Sequence, residues 1–165
     1  MIAAPEAAPS HEGREAARGA ISGTVMGFDF GAKRTGVAVG ETSTRIANAL
    51  GTIAAQANEA RFAAIDGYVK EWKPAAFVVG QPRHADGAPH EVAKLAAKFA
   101  RRLAARYQLP VVLVDETLSS AEAERQLRDV RPHGGARKGD VDALAAAVIL
   151  QGFLDDPENH ERIAP

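Results

Sequence analysis

The tightest constraint on this chain is the run from Thr24 to Gly40, TVMGFDFGAKRTGVAVG. Thr24 to Phe30 is an apolar, β-branched stretch interrupted by one acid, Asp29, and Thr35 to Val39 resumes the same character. Between them Gly31, Ala32, Lys33 and Arg34 make a short, basic, glycine-bearing turn. The pattern predicts two antiparallel strands joined by that turn. An acid at the tip of an apolar first strand is costly to bury without a partner. Asp29 is therefore a candidate for metal binding or catalysis. The bland alternative is an Asp that bonds only to nearby turn amides.

The rest of the chain must supply what this hairpin lacks. At 165 residues, 46% hydrophobic and 25% charged, it has enough material for one domain with a sizeable core. Cysteine is absent, so disulfides and thiolate metal sites are excluded, and a reducing cytoplasm is the expected location. No apolar run approaches the roughly 20 residues of a membrane span. The first residues carry Glu6, Glu12 and Glu15, unlike a secretory signal. Net charge is −1, but between Lys94 and Lys138 ten cations face five acids, while four acids face Arg162 from Asp155 onward. Such a basic segment suits a polyanion, although solvated helix faces account for it equally well.

Residues 1–23, rich in Ala, Pro, Glu and Gly, read as a disordered extension. A third strand is predicted over Arg45 to Ile53. A helix capped by Asn58 runs to about Trp72, with Phe62, Ile65, Val69 and Trp72 on one face, and Pro74 stops it. A strand over Ala75 to Val79 leads into a turn-rich loop from Gly80 to Gly87. A second helix spans about Glu91 to Tyr107, with Val92, Leu95, Phe99 and Leu103 on its apolar side and Lys94, Lys98, Arg101 and Arg102 opposite. Val111 to Val114 is a buried strand ending at Asp115 and Glu116. A third helix covers Ala121 to about Val130, a glycine-bearing loop follows, and a last helix covers Asp140 to about Leu154. The result is one α/β domain over residues 24–154, with a mixed five-stranded sheet in which an antiparallel meander joins parallel strands, and an acidic tail over 155–165.

In such sheets ligands gather at the carboxyl ends of the parallel strands. Asp29, the Gly80 to Gly87 loop and Asp115 with Glu116 fall there, and the start of the last helix adds Asp140 and Asp142. Acids at the tips of apolar strands repel one another unless a cation or proton lies between them. Carboxylates without His or Cys suit hard ions such as Mg²⁺ or Mn²⁺, and a pair of such ions can promote phosphodiester hydrolysis. Asp140 is placed to cap the last helix, whereas Asp142 shares a stripe with Ala145, Ile149 and Phe153 that faces the sheet if the helix packs there. Asp142 is therefore the ligand candidate. Asp115 and Glu116 point to opposite faces, and periodicity does not choose between them.

With these pieces in place, the chain resembles the YqgF/RuvX family of Holliday-junction-resolvase-like nucleases in the ribonuclease H superfamily. The resemblance rests on GFDFG at 27–31 with GVAVG at 36–40, VGQP at 79–82 with Asp86 and Gly87, DETLSS at 115–120, and KGDVD at 138–142 with AAAVIL at 145–150. It covers about Thr24 to Leu154, in order. It implies a ribonuclease H-like fold and a Mg²⁺- or Mn²⁺-dependent nuclease with Asp29, Glu116 and Asp142 as catalytic, metal-binding carboxylates. It also implies a role in processing the 5′ end of precursor 16S rRNA. Gln81 stands where the family usually has Leu, and Asp140 where a basic or neutral residue is common; neither change touches the three acids.

Around those acids, Lys33, Arg34, Arg83, Thr117 and Ser119 are candidate contacts to substrate, with His84 beside Arg83. Each has an ordinary reading as turn surface or helix cap. Arg137 and Lys138, on the loop bearing Gly134 and Gly135, suit a mobile clamp over a nucleic-acid backbone. Few aromatic residues are placed for base stacking, so recognition of backbone and shape is expected. The leading function is a nuclease acting on structured RNA as a monomer or weak homodimer. A junction resolvase acting on branched DNA would require a dimer to cut two strands symmetrically. A non-catalytic binding module explains the basic face but not three acids at one sheet edge. An actin-like ATPase needs a second lobe for which there is no room.

Overall fold

The computed structural model describes residues 21–82, 90–115 and 138–165. The predicted Ala121 to Val130 helix and the loop after it lie outside the described residues. The hairpin forms as expected, with β1 (Thr24–Asp29) antiparallel to β2 (Arg34–Glu41) in the register Asp29 to Gly36. β3 (Ile46–Ala54) completes the meander on β2, with a register shift between Val37 and Ala38. α1 (Asn58–Trp72) leads to β4 (Ala76–Gln81), which runs parallel to β1, and α2 (His90–Tyr107) leads to β5 (Val111–Asp115), parallel to β4. α3 (Lys138–Asp155) follows. The sheet has six strands rather than five: β6 (Glu161–Ile163) pairs antiparallel with β5, giving the order β3-β2-β1-β4-β5-β6. A three-residue edge strand carrying two charges has no alternation to read, and so this segment was expected to be tail. At the other end Ile21, expected in the extension, packs against the core.

The alternation of the strands divides the interior into two layers. On one face Met26, Phe28, Val37 and Phe77 meet Phe62 and Ile65 of α1 and Phe99 and Leu103 of α2. Aromatic rings dominate there, with Phe28 5.6 Å from Phe99 edge to face and Phe30 stacked on Phe99 at 4.9 Å. The apolar stripe of α2 is continued by Ala96 and Ala100, while Val92 and Leu95 stay exposed. On the other face Val25, Ala38, Val78 and Val112 meet Ala146, Leu150 and Phe153 of α3.

That second layer is thin because glycine and alanine line it. A Cβ on Gly27 would come 2.8 Å from the Cβ of Leu150, and one on Gly36 would overlap the carbonyl of Asp142. Gln151 then fixes the helix along the edge: the Ala47 amide donates to its Oε1 at 3.0 Å, and its Nε2 donates to the Arg45 carbonyl at 2.8 Å.

The two helices of the aromatic layer are pinned together at the surface. Arg106 donates through Nε and Nη2 to both oxygens of Asp66, at 3.1 and 2.6 Å, and the Tyr107 hydroxyl donates to Asp66 Oδ1 at 2.6 Å. These bonds, Arg106 first and Tyr107 second, hold the Asp66 carboxyl below the usual carboxylate range. Burial and then the Asp66 carboxylate push the Tyr107 hydroxyl above the usual tyrosine range. The Asn58 side chain does not cap α1. Ala57 occupies the cap position without a side-chain bond, and Asn58 Oδ1 accepts a bond from Arg61 instead.

Two predictions follow from this packing. Gly36→Ala should destabilise the protein by about 2–3 kcal/mol, because α3 must lift off the sheet. Gly67→Ala, where the added methyl meets nothing within 4 Å, should stabilise it by about 0.5–1 kcal/mol. Urea unfolding measures both. For Asp66, whose pKa is depressed in the folded state, the contribution to stability is complete above the unfolded carboxylate value near ~3.9 and fades as pH falls through the folded value. Asp66→Asn should therefore unfold at lower urea than the wild type at about pH 7, with the gap closing toward about pH 2.

Candidate active site at the carboxyl edge of the sheet

The site is assembled by register. Asp29 ends β1 opposite Gly36, so the two residues share a face of the sheet. Gly36 is the position packed against the Asp142 backbone, and Gly27, two residues before Asp29, packs against Leu150. The Asp29 side chain is thus on the α3 face, at the end where α3 presents Asp142. Both acids are half-buried. The stripe argument for Asp142 holds: Ala145, Ile149 and Phe153 are all buried against the sheet. Asp140 lies within the first turn of α3, which begins at Lys138, and so it is not the cap residue.

Arg34 opens β2 on this same face. Its Nε donates to Asp142 Oδ2 at 2.9 Å, an ion pair joining residues 108 positions apart, with the side chains 32% and 24% exposed. Of the two turn cations expected to meet substrate, Arg34 is therefore engaged with an acid of the site. Lys33 is exposed in the turn.

β5 ends at the same edge with Asp115. Val112 and Val114 face α3, while Val111 and Leu113 face the aromatic layer. Asp115, in register with Gln81 at the end of β4, falls in the alternation of Val111 and Leu113 and so on the face away from Asp142. Glu116, Arg83, His84, Thr117, Ser119 and Arg137 lie outside the described residues, as does the Lys138 side chain. Among the described residues no group of three acidic or imidazole side chains could hold an ion by itself.

Arg61 was not singled out in the sequence, yet it holds the hairpin turn. It is 2% exposed, and its Nη2 donates to the carbonyls of Ala32 at 2.9 Å, Ala55 at 3.0 Å and Gly31 at 3.5 Å. Nη1 donates to Asn58 Oδ1 at 2.8 Å, and the guanidinium lies 4.9 Å from the centre of the Phe30 ring. Burial, then the charge of Arg102, lowers its pKa from the ordinary arginine value. An arginine four residues before Ile65 on the inward side of α1, next to Phe62, was the available signal.

The edge also collects helix starts. α1 begins where Arg61 meets the β1–β2 turn, α3 begins beside Asp142 and Arg34, and α2 starts after β4 and ends before β5 at the opposite edge. Three positive dipole ends therefore lie at this edge of the sheet. From its start α2 presents Lys94, Lys98, Arg101 and Arg102 exposed along one side, and among the described residues none of the four is in an ion pair.

These features define a domain of ribonuclease H-like fold with Asp29 and Asp142 on one face at the carboxyl end of its central strands. A Thermus thermophilus RuvC structure in complex with a Holliday junction substrate matches at a TM-score of 0.55 and 14% identity, over 86% of this chain and 99% of that chain. A second Thermus thermophilus RuvC structure matches at 0.53 and 16% identity, over 85% and 99%. A family model described as RuvX, Holliday junction resolvase, matches residues 23–156. A protein of Dechloromonas aromatica (strain RCB), provisionally named a pre-16S rRNA nuclease, is 51% identical over 137 residues, which is 83% of this chain and 94% of that protein. One from Thiobacillus denitrificans (strain ATCC 25259 / T1) with the same name is 50% identical over 133 residues, 81% of this chain and 92% of that protein. The chain belongs to the RuvX family.

Replacing Arg61 should strand three carbonyls in a buried setting. Arg61→Met is expected to cost about 3 kcal/mol, with Arg61→Lys recovering only part because an ammonium lacks the planar fork. Urea titration of the three proteins gives the comparison.

Proposed function

We propose that this protein is a divalent-metal-dependent nuclease that hydrolyses phosphodiester bonds in structured RNA, with the 5′ end of precursor 16S rRNA as its substrate. The observation that carries the reading is the placement of Asp29 and Asp142 on one face of the sheet, each beside Gly36. The names of the relatives support the choice of RNA.

The donor set fits a hard ion. Asp29 and Asp142 offer only carboxylate oxygens, and Asp142 already holds a cation, the Arg34 guanidinium. Asp115 falls on the face away from α3, and the family pattern assigns the third carboxylate to Glu116. Mg²⁺ or Mn²⁺ held by these three residues would supply the positive charge that stabilises developing negative charge on a phosphodiester.

The remaining chemistry falls to the chain itself. Lys33 is exposed on the rim to meet a phosphate, and Arg34 lies between the turn and Asp142. Arg83, Thr117, Ser119, Arg137 and Lys138 are assigned to the substrate backbone, the last two as a clamp. The exposed cations of α2 continue the path away from the site and would follow phosphates rather than read bases. Arg61 binds no substrate; it keeps the turn that follows Asp29 in place.

The test incubates purified protein with a 5′-extended 16S precursor and, separately, a four-way DNA junction, in Mg²⁺, Mn²⁺ or EDTA. Trimming of the RNA that needs metal and falls at least about 100-fold in Asp29→Asn and Asp142→Asn is the expected result. Paired nicks in the junction with intact RNA would move the assignment to a resolvase. Binding without cleavage of either substrate would leave a non-catalytic module.

A further inference from the structure

Two arginine–carboxylate pairs in this protein differ in a way that bears on the site. Arg106 grips both oxygens of Asp66 with two nitrogens, the fork geometry of a pair that is structural. Arg34 touches Asp142 by a single bond, Nε to Oδ2 at 2.9 Å. Among the described residues its two terminal nitrogens donate to nothing and Asp142 Oδ1 accepts nothing. The pair is part-buried, with about a quarter to a third of each side chain reachable by solvent. A salt bridge made to hold α3 on the sheet would engage both oxygens, and that task is already performed by the glycine contacts and Gln151.

We infer that Arg34 is the resident counter-cation of Asp142 and competes with the divalent ion for that carboxylate, yielding it when a phosphate takes the guanidinium. The inference rests on the reading of Asp142 as an ion ligand. The physical basis is charge. A guanidinium bonded to the carboxylate both neutralises it and repels a dication approaching the same oxygens, whereas a phosphate on the terminal nitrogens compensates the arginine and restores the full charge of Asp142. Ion and nucleic acid each draw on one half of the pair. Their binding is therefore linked, and the linkage is reciprocal. Protein without nucleic acid holds its ion weakly and protein on a substrate backbone holds it well, so the site is charged where there is a bond to cut.

The experiment is a Mn²⁺ titration followed by electron paramagnetic resonance on the full chain, without nucleic acid. Wild type, Arg34→Met, Arg34→Gln, Arg34→Lys and Asp142→Asn are compared. Removing the charge should tighten Mn²⁺ about 3- to 10-fold in both Arg34→Met and Arg34→Gln, the latter retaining a side chain able to hydrogen-bond Asp142. Arg34→Lys, which keeps the charge, should stay within about twofold of wild type. A 2′-O-methyl oligonucleotide should then tighten Mn²⁺ in the wild type by a larger factor than in Arg34→Met. Unchanged or weaker Mn²⁺ binding in both neutral variants, with binding lost in Asp142→Asn, overturns the role of Arg34 alone. Mn²⁺ binding that survives in Asp142→Asn overturns the ion-ligand reading together with it.

Discussion

The site depends on how closely one helix can lie on a sheet. α3 rests on β1 and β2 over Gly27 and Gly36, and at Gly36 the approach is so close that a methyl group would overlap the helix backbone. Two effects come from that contact. It removes water from an otherwise thin alanine-lined layer, so burial there is achieved with small side chains and little side-chain entropy cost. It also fixes the height of Asp142 above the end of β1, where register has already placed Asp29. A larger residue at either glycine would move the acid along with the helix. The same contact thus sets packing and chemistry.

The two faces of the sheet carry different loads. The aromatic face is the bulky one, with Phe28, Phe77 and Phe99 filling the space beneath α1 and α2. It stabilises the fold, and through Arg61 it also holds the β1–β2 turn from below. The α3 face has little volume and carries the acids. Backbone carbonyls of the turn are turned toward Arg61, while the turn cation Arg34 points to the opposite face and reaches Asp142. One short turn is therefore held by a buried arginine on one side and supplies an arginine to the site on the other.

Much of this was legible in the sequence because it rested on periodicity. The stripe Asp142, Ala145, Ile149 and Phe153 marked the face of the last helix that packs on the sheet, since a helix that buries alanines must bring whatever shares their face to it. The β1–β2 hairpin was equally plain from its glycines and β-branched runs. What escaped were features decided by tertiary partners. β6 is held by β5 rather than by any pattern of its own, and Arg61 is a charge whose solvation is replaced by carbonyls distant in sequence. The Asn58 cap failed for the same reason, because Arg61 captures the side chain that would have turned back to the helix amides. The face on which Asp115 falls was hidden for a related reason, because a lone strand does not declare which of its residues will meet a helix.

The placement of cations around the acids explains how a fold can keep such a site standing. Carboxylates gathered at one edge are a destabilising arrangement in isolation. Here the Arg34 guanidinium balances Asp142 directly, and the starts of all three described helices add partial positive charge toward the same edge. The chain's own groups thereby offset part of the repulsion at the edge. On the exchange inferred for Arg34, the compensation at Asp142, a single bond among the described residues, is given up by a side chain. Stability resides in the glycine contacts and the aromatic layer, and so the electrostatics of the edge are free to change during a catalytic cycle.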